Sequence, residues 1–353
     1  MLNYLGTAVF PIFAIGAFGF FLGRMRTFDV AAAFSINKFV MLVCMPALCI
    51  EFLALAPIES FDFLLLFGYF LSEVILFSLG VVISKYIFKL LNSEALLIGL
   101  ALALTNHVLF VLPIADEIFG EVKTLTIISI ITMDGLVIFS LTLIAMDILS
   151  NANRPFSVTV KAIFTNPPLL GILIGLFVSL NNLELPHGIM FFLEKMGGTA
   201  TPALLFSLGI MLSYQKNIAP TKLIVSMSTL KLIIHPTLAW LIITILFGGH
   251  YPERHSTALM VAAAPSGVMA YMLAMNYKVS VDRISPIILY TSIGSLITVS
   301  LAATMKNALL ERSFGTSIFL DMSSFFPIIF INFLSSIFLI SIFAPNDCNI
   351  ISV

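Results

Sequence analysis

Apolar runs of about twenty residues, laid end to end with short polar breaks, constrain this chain more than anything else in it. An α-helix rises about 1.5 Å per residue, so about twenty residues are needed to cross the hydrocarbon core of a bilayer. Such runs lie near residues 5–23, 31–54, 62–84, 94–115, 124–148, 164–181, 197–213, 222–247, 256–276 and 283–305 of the 353. Charged residues make up only 10% and hydrophobic ones 60%, with a mean hydropathy of +1.11. Soluble domains carry roughly 25% charged residues, and no soluble fold has the interior to hide this much apolar surface. The expected fold is therefore an all-α polytopic membrane protein with ten transmembrane helices. The tail run from Phe325 to Phe343 is long enough for an eleventh span, but Pro327 and Asn332 weaken it, and both readings stay open.

The polar breaks set the orientation, because Lys and Arg collect on the cytoplasmic side. Breaks after odd-numbered runs hold Arg24, Arg26, Lys85, Lys89, Arg154, Lys161, Lys216, Lys222, Lys278 and Arg283. Those after even-numbered runs hold Lys123, Lys195 and Arg254, so the N-terminus is expected outside. Lys306 and Arg312 fall on the wrong side of this scheme. The first run has no basic flank ahead of it and reads as a span rather than a cleaved signal peptide. The expected location is a bacterial inner membrane.

Several function classes drop out. The 17 basic and 18 acidic side chains nearly cancel, and no basic patch argues for nucleic acid. Cys44, Cys49 and Cys348 have no metal-type spacing, so neither a metal centre nor a disulfide framework is expected. No phosphate-cradling loop, His-Glu-x-x-His or Gly-x-Ser-x-Gly motif occurs. The expectation is a protein that is not an enzyme and needs no cofactor.

The chain also repeats. Phe10-Pro11 with Gly19 matches Asn166-Pro167 with Gly175, and Met45-Pro46-Ala47-Leu48 matches Thr201-Pro202-Ala203-Leu204, both at an offset of 156 residues. The polar stretch Ser150 to Lys161 separates two blocks of five runs. A block with an odd number of spans flips when repeated, so residues 1–150 and 151–306 are expected to be inverted repeats, followed by a tail over 307–353. Inverted repeats are common in secondary transporters. Chance is the competing account, since Pro-Ala-Leu is cheap in apolar sequence.

Two runs are interrupted from within. In Asn92 to Gly120 a helix carries Thr105, Asn106 and His107 and then meets Pro113, which donates no N–H and strips the carbonyl of Leu109 of its partner. On a continuous helix Asn106 and Pro113 would share a face, about two turns apart. In Ala258 to Tyr277 the break is Pro265-Ser266-Gly267, and the freed carbonyl is that of Val261. Irregular backbone at membrane depth survives only inside protein or along a wet cavity, and paired broken helices point to a transporter's binding site. Half-helix N-termini, the Asn106 amide and the Ser266 hydroxyl suit a carboxylate, and Gly267 lets backbones approach closely.

Charges inside spans cost about 2.5–3.5 kcal/mol each at the helix centre and need a reason. Glu73, Asp134 and Lys231 are such charges. They are either an internal ion pair that holds helices together or a coupling network. In the second reading Asp134 or Glu73 takes and releases a proton, and Lys231 supplies fixed positive charge, adding field if it faces the cavity. His107 is either a pH-sensitive group or a hydrogen-bonded filler. Pro46, Pro202 and His235-Pro236 read as kinks.

The runs FTNPPLLGILIGLFVSLNNLELP and MGGTATPALLFSLGIML resemble the auxin efflux carrier family of membrane transporters. So do KLIIHP, Asn106 with Pro113, and AAAPSGVMAYMLA. The likeness spans about residues 5–305; the tail departs from it, and HVLFVL between Asn106 and Pro113 is bulkier than the small residues usual there. The resemblance implies two inverted five-helix repeats with helices four and nine crossing mid-membrane. It implies a scaffold of spans one, two, six and seven, often a homodimer, beside a moving transport domain. It also implies an organic-anion substrate, with Asn106, Pro113, Pro265 and Ser266 at the crossing. The expected function is a secondary permease for a small organic anion, working by an elevator mechanism, with a proton or sodium as coupling ion. A sodium-coupled symporter of bile-acid type and a non-transporting membrane sensor or scaffold are the alternatives.

Overall fold

The computed structural model describes residues 2–56, 58–107, 111, 121–150, 165–215, 221–247 and 253–311. Pro113, the loop 151–164 and the tail run at 325–343 lie outside the described residues. What is described is helical throughout, apart from turns and one isolated backbone bridge.

The helices are α1 (Leu2–Arg24), α2 (Val30–Ala54), α3 (Phe63–Ile87) and α4 (Asn92–Ala103). Next is α5, which runs through Glu121–Met133, Asp134–Phe139 and Ser140–Ser150. Then come α6 (Pro167–Leu180), α7 (His187–Tyr214), α8 (Thr221–Leu246), α9 (Glu253–Ala262), α10 (Met269–Asn276) and α11 (Ile284–Glu311). Among the described residues, five helices are long and apolar enough to cross a membrane. Asp29 and Asp62 cap α2 and α3, accepting from Ala32 N at 2.8 Å and Leu65 N at 3.1 Å.

Helix α7 begins ten residues before the apolar run that announced it. Glu194 and Lys195 dilute the run there, but they lie exposed and 2.7 Å apart, so the helix extends through them. The kinks expected at Pro46 and Pro236 take the form of π turns, Val40–Cys44 and Leu230–Ile234. Met45 N donates to Val40 O and His235 N to Leu230 O, five residues back. This opens the hydrogen-bond ladder just where the proline cannot donate.

The helices pack in two groups. In one, α1 lies along α7 and α2 lies along both α6 and α7. The approach is close: a Cβ at Gly19 would run into the Phe206 backbone, and one at Gly175 would meet Leu53 Cβ at 2.7 Å and Cys49 O at 3.0 Å. Small residues at such seams let membrane helices touch along their backbones. In the other group α3 packs on α4 and α8, and α9 on α5, α8 and α11. Phe18, Phe21, Leu173 and Phe177 point outward, as lipid-facing side chains do. The inner parts of helices α4 and α10 are apolar and buried, with Leu97 to Ala103 and Ala270 to Ala274 inaccessible. The chain therefore places two short half-helices at its centre, walled in on every side.

Candidate functional site at the meeting of two broken helices

Helix α4 stops at Ala103. Leu104 turns to extended backbone, φ −67° and ψ 135°. Asn106 therefore lies in the break itself, not on a helix face two turns from Pro113 as the sequence spacing had implied. This break follows Ala103 directly.

Helix α9 ends at Ala262, as the proline at 265 requires, since the residue before a proline is pushed out of the α region. The Val261 carbonyl that Pro265 leaves free is taken by Ala264 N at 3.1 Å and Thr105 Oγ1 at 3.5 Å. Two hydroxyls of α11 serve the rest of the break. Thr298 Oγ1 donates to Ala263 O at 2.7 Å, and Thr291 Oγ1 accepts from Ser266 N at 3.3 Å.

The two breaks then pair with each other. Asn106 N donates to Pro265 O at 3.0 Å and Gly267 N to Leu104 O at 2.8 Å, a single antiparallel bridge centred on Thr105 and Ser266. A Cβ at Gly267 would sit 3.1 Å from Thr105 O and 3.3 Å from Leu104 O, close enough that the backbone would have to give by a few tenths of an ångström. Each unwound segment thus satisfies the other's backbone, which the hydrocarbon interior demands.

Lys231 sits behind this bridge, wholly buried. Its Nζ donates to Thr105 Oγ1 at 2.8 Å and Ala103 O at 3.2 Å, and lies 3.3 Å from His235 Nδ1. Ala103 is the last residue of α4, so the ammonium caps a helix C-terminus, where the backbone dipole favours positive charge. Neither an ion pair with Glu73 nor a place in the cavity wall, the two sequence-based expectations, describes it. Glu73 is inaccessible, neither of its oxygens makes a hydrogen bond of ordinary geometry, and Asp134, Tyr69 and Lys231 are the polar groups close enough to act on it.

Asp134 begins a π turn in α5 and places Oδ2 2.7 Å from His107 Nε2, with both side chains buried. His107 Nδ1 has no hydrogen-bond partner, and Asp134 Oδ1 makes no hydrogen bond of ordinary geometry, with Glu73 as its carboxyl neighbour.

An open cavity of about 740 Å³, mouth included, lies against the break. Thr105, Asn106, His107, Asp134 and Gly267 line it on one side, and Met45, Leu48, Cys49 and Phe52 of α2 line it on the other. The start of α10 reaches it through Val268 and Met269, and the first N–H groups of a helix have no intrahelical acceptor. Of the residues singled out in the sequence, Asn106, His107, Asp134 and Gly267 come together here. Pro265 and Ser266 form the bridge instead, and the Ser266 hydroxyl is buried without a partner. Lys231 and Glu73 stand behind the wall. The α2 face was not foreseen; nothing marks its residues except their place before and after Pro46.

The sequence model of one family, described as membrane transport protein, matches residues 4–303. A protein of Rhizobium meliloti named "Putative malonate transporter" is 24% identical over 305 residues, covering 83% of this chain and 92% of its own. An "Uncharacterized transporter" of Methanothermobacter thermautotrophicus is 30% identical over 206 residues, 57% of this chain and 65% of its own. The match over nearly the whole helical part, together with helices that need a bilayer, shows that this chain is an integral multi-pass membrane protein and belongs to the auxin efflux carrier family of membrane transport proteins.

Proposed function

We propose that the chain is a secondary carrier for a small organic anion, a short dicarboxylate of malonate's kind, in a bacterial inner membrane with the N-terminus outside. The observation that carries this reading is the bridge between Thr105 and Ser266 beside a cavity lined by Asn106 and reached by the start of α10. Helix N-termini and unpaired N–H groups bind carboxylates, and Asn106 adds an amide donor.

The anion moves with the helices that hold its site. In this reading α3–α5 and α8–α11 slide as one body against α1, α2, α6 and α7, the latter group serving as scaffold and homodimer contact. The two-group packing supports it, as do the Gly19–Phe206 and Gly175–Ile50 contacts, which are offset by the same 156 residues as the sequence repeat. Ser207 Oγ to Tyr271 OH at 2.9 Å and Asn37 Nδ2 to Met272 O at 3.2 Å cross the boundary and are among the bonds such a slide breaks. Purified protein in liposomes is expected to take up labelled malonate or a close dicarboxylate under an imposed gradient. Failure across a panel of organic acids, under proton, sodium and voltage gradients alike, overturns the reading.

A further inference from the structure

This inference rests on the carrier reading above and concerns what accompanies the anion. His107 Nε2 lies 2.7 Å from Asp134 Oδ2, while Nδ1 of the same ring is buried without a partner. A carboxylate in that position fixes the tautomer: Nε2–H donates to Asp134, and the lone pair stays on Nδ1. Both residues line the cavity.

A carboxylate in the wall of an anion cavity repels its ligand unless positive charge arrives as well. The groups facing the pair do not supply it. From α3 come Glu73 and Tyr69, from α8 Lys231 and His235, and from α2 Cys49. Among the described lining residues, α6, α7 and α10 contribute only Ile172, Thr201 and Met269. The Lys231 ammonium is buried behind the wall and already shared by Thr105, Ala103 and His235. An incoming anion adds negative charge beside Asp134 where charge is poorly screened.

We propose that His107 Nδ1 is a proton-binding site filled together with the anion, so that substrate and proton occupy the cavity as a pair. A proton from solution forms the Nδ1–H bond, and the imidazolium keeps its Nε2–H on Asp134 and faces the bound carboxylate. Release on the other side breaks that N–H bond and returns the proton to water with the anion. Asp134 is a positioning residue. The sign follows from reciprocity: if the anion raises the site's hold on a proton, acid raises its hold on the anion.

Calorimetry of the purified wild type with malonate tests this, in sodium-free, slightly alkaline buffers of different ionisation enthalpy. The expected result is uptake of one proton per malonate, and affinity that falls about tenfold per pH unit on the alkaline side. His107→Gln keeps an amide for Asp134 and is expected to bind malonate more weakly with no proton uptake. Asp134→Asn, the second variant, is expected to retain binding with a displaced pH profile. Wild type that binds malonate without proton uptake overturns the proton site and leaves the carrier reading standing, as does binding that needs sodium. Undiminished uptake in His107→Gln also overturns it. A wild type that binds neither malonate nor any longer dicarboxylate overturns the carrier reading, and the proton site with it.

Discussion

Thr105 and Ser266 face each other across one antiparallel backbone bridge, the point at which the two halves of the chain satisfy each other's broken helices. Leu104 O and Pro265 O accept there, and Asn106 N and Gly267 N donate. Asn106 and the start of α10, the donors proposed to meet the anion, flank that bridge.

The closest approach in it is at Gly267, where an added methyl group meets two carbonyl oxygens. Both oxygens belong to backbone that is itself locked by the bridge, so neither can move aside. Gly267→Ala is expected to cost about 1–3 kcal/mol, the usual penalty for overpacking, and to abolish transport. Thermal unfolding in detergent, with and without malonate, checks both parts.

Lys231 closes the end of α4. Lys231→Met removes the donor to Ala103 O and Thr105 Oγ1 and leaves Glu73 and Asp134 without their nearest ammonium. Removing one member of a buried charge set costs about 3–5 kcal/mol. Lys231→Arg is not expected to rescue it, because a flat guanidinium cannot aim at the same acceptors from a fully enclosed site. Melting temperature and uptake, measured on both variants, are expected to fall together.

Asn106 separates backbone from side chain. Its N–H holds the bridge, and Asn106→Ala keeps that bond while clearing the amide from the cavity wall. Stability is expected to change little, while malonate affinity drops about ten- to a hundredfold, the value of a hydrogen bond to a charged group. A large loss of melting temperature with unchanged affinity would contradict the assignment.

Cys49 offers a reporter already in place. It lines the cavity from α2, opposite the break, whereas Cys44 is buried. In a Cys348→Ser background, malonate is expected to slow modification of Cys49 by a small thiol reagent, and Asn106→Ala to abolish that protection. Mass spectrometry of the labelled protein reads both.

Much of the architecture was legible because lipid leaves few choices: long apolar runs must be helices, and Pro265 must end one. Pro265 did so, and Val261 was correctly identified as the carbonyl set free. A break in the fourth run was expected near Pro113, which lies outside the described residues; the one described follows Ala103. It is held by Lys231 and by pairing with Gly267, both of them contacts between residues far apart in the chain, and local propensity carries no trace of such contacts. Lys231 was noticed in the sequence as a buried charge that needs a reason. A charge in a span announces that it has a partner, and sequence alone did not show that the partner is a helix end. His107 and Asp134 were each noticed, but their 2.7 Å meeting depends on how α5 packs beside the break.

The account stands or falls on where the anion sits. Crystals grown with bromomalonate, whose bromine marks its own position by anomalous scattering, give the most direct answer. A bromine peak is expected in the cavity between Asn106, Gly267 and the start of α10. A bound bromomalonate on the lipid-facing side of the helices, or at the surface away from the bridge, would contradict it.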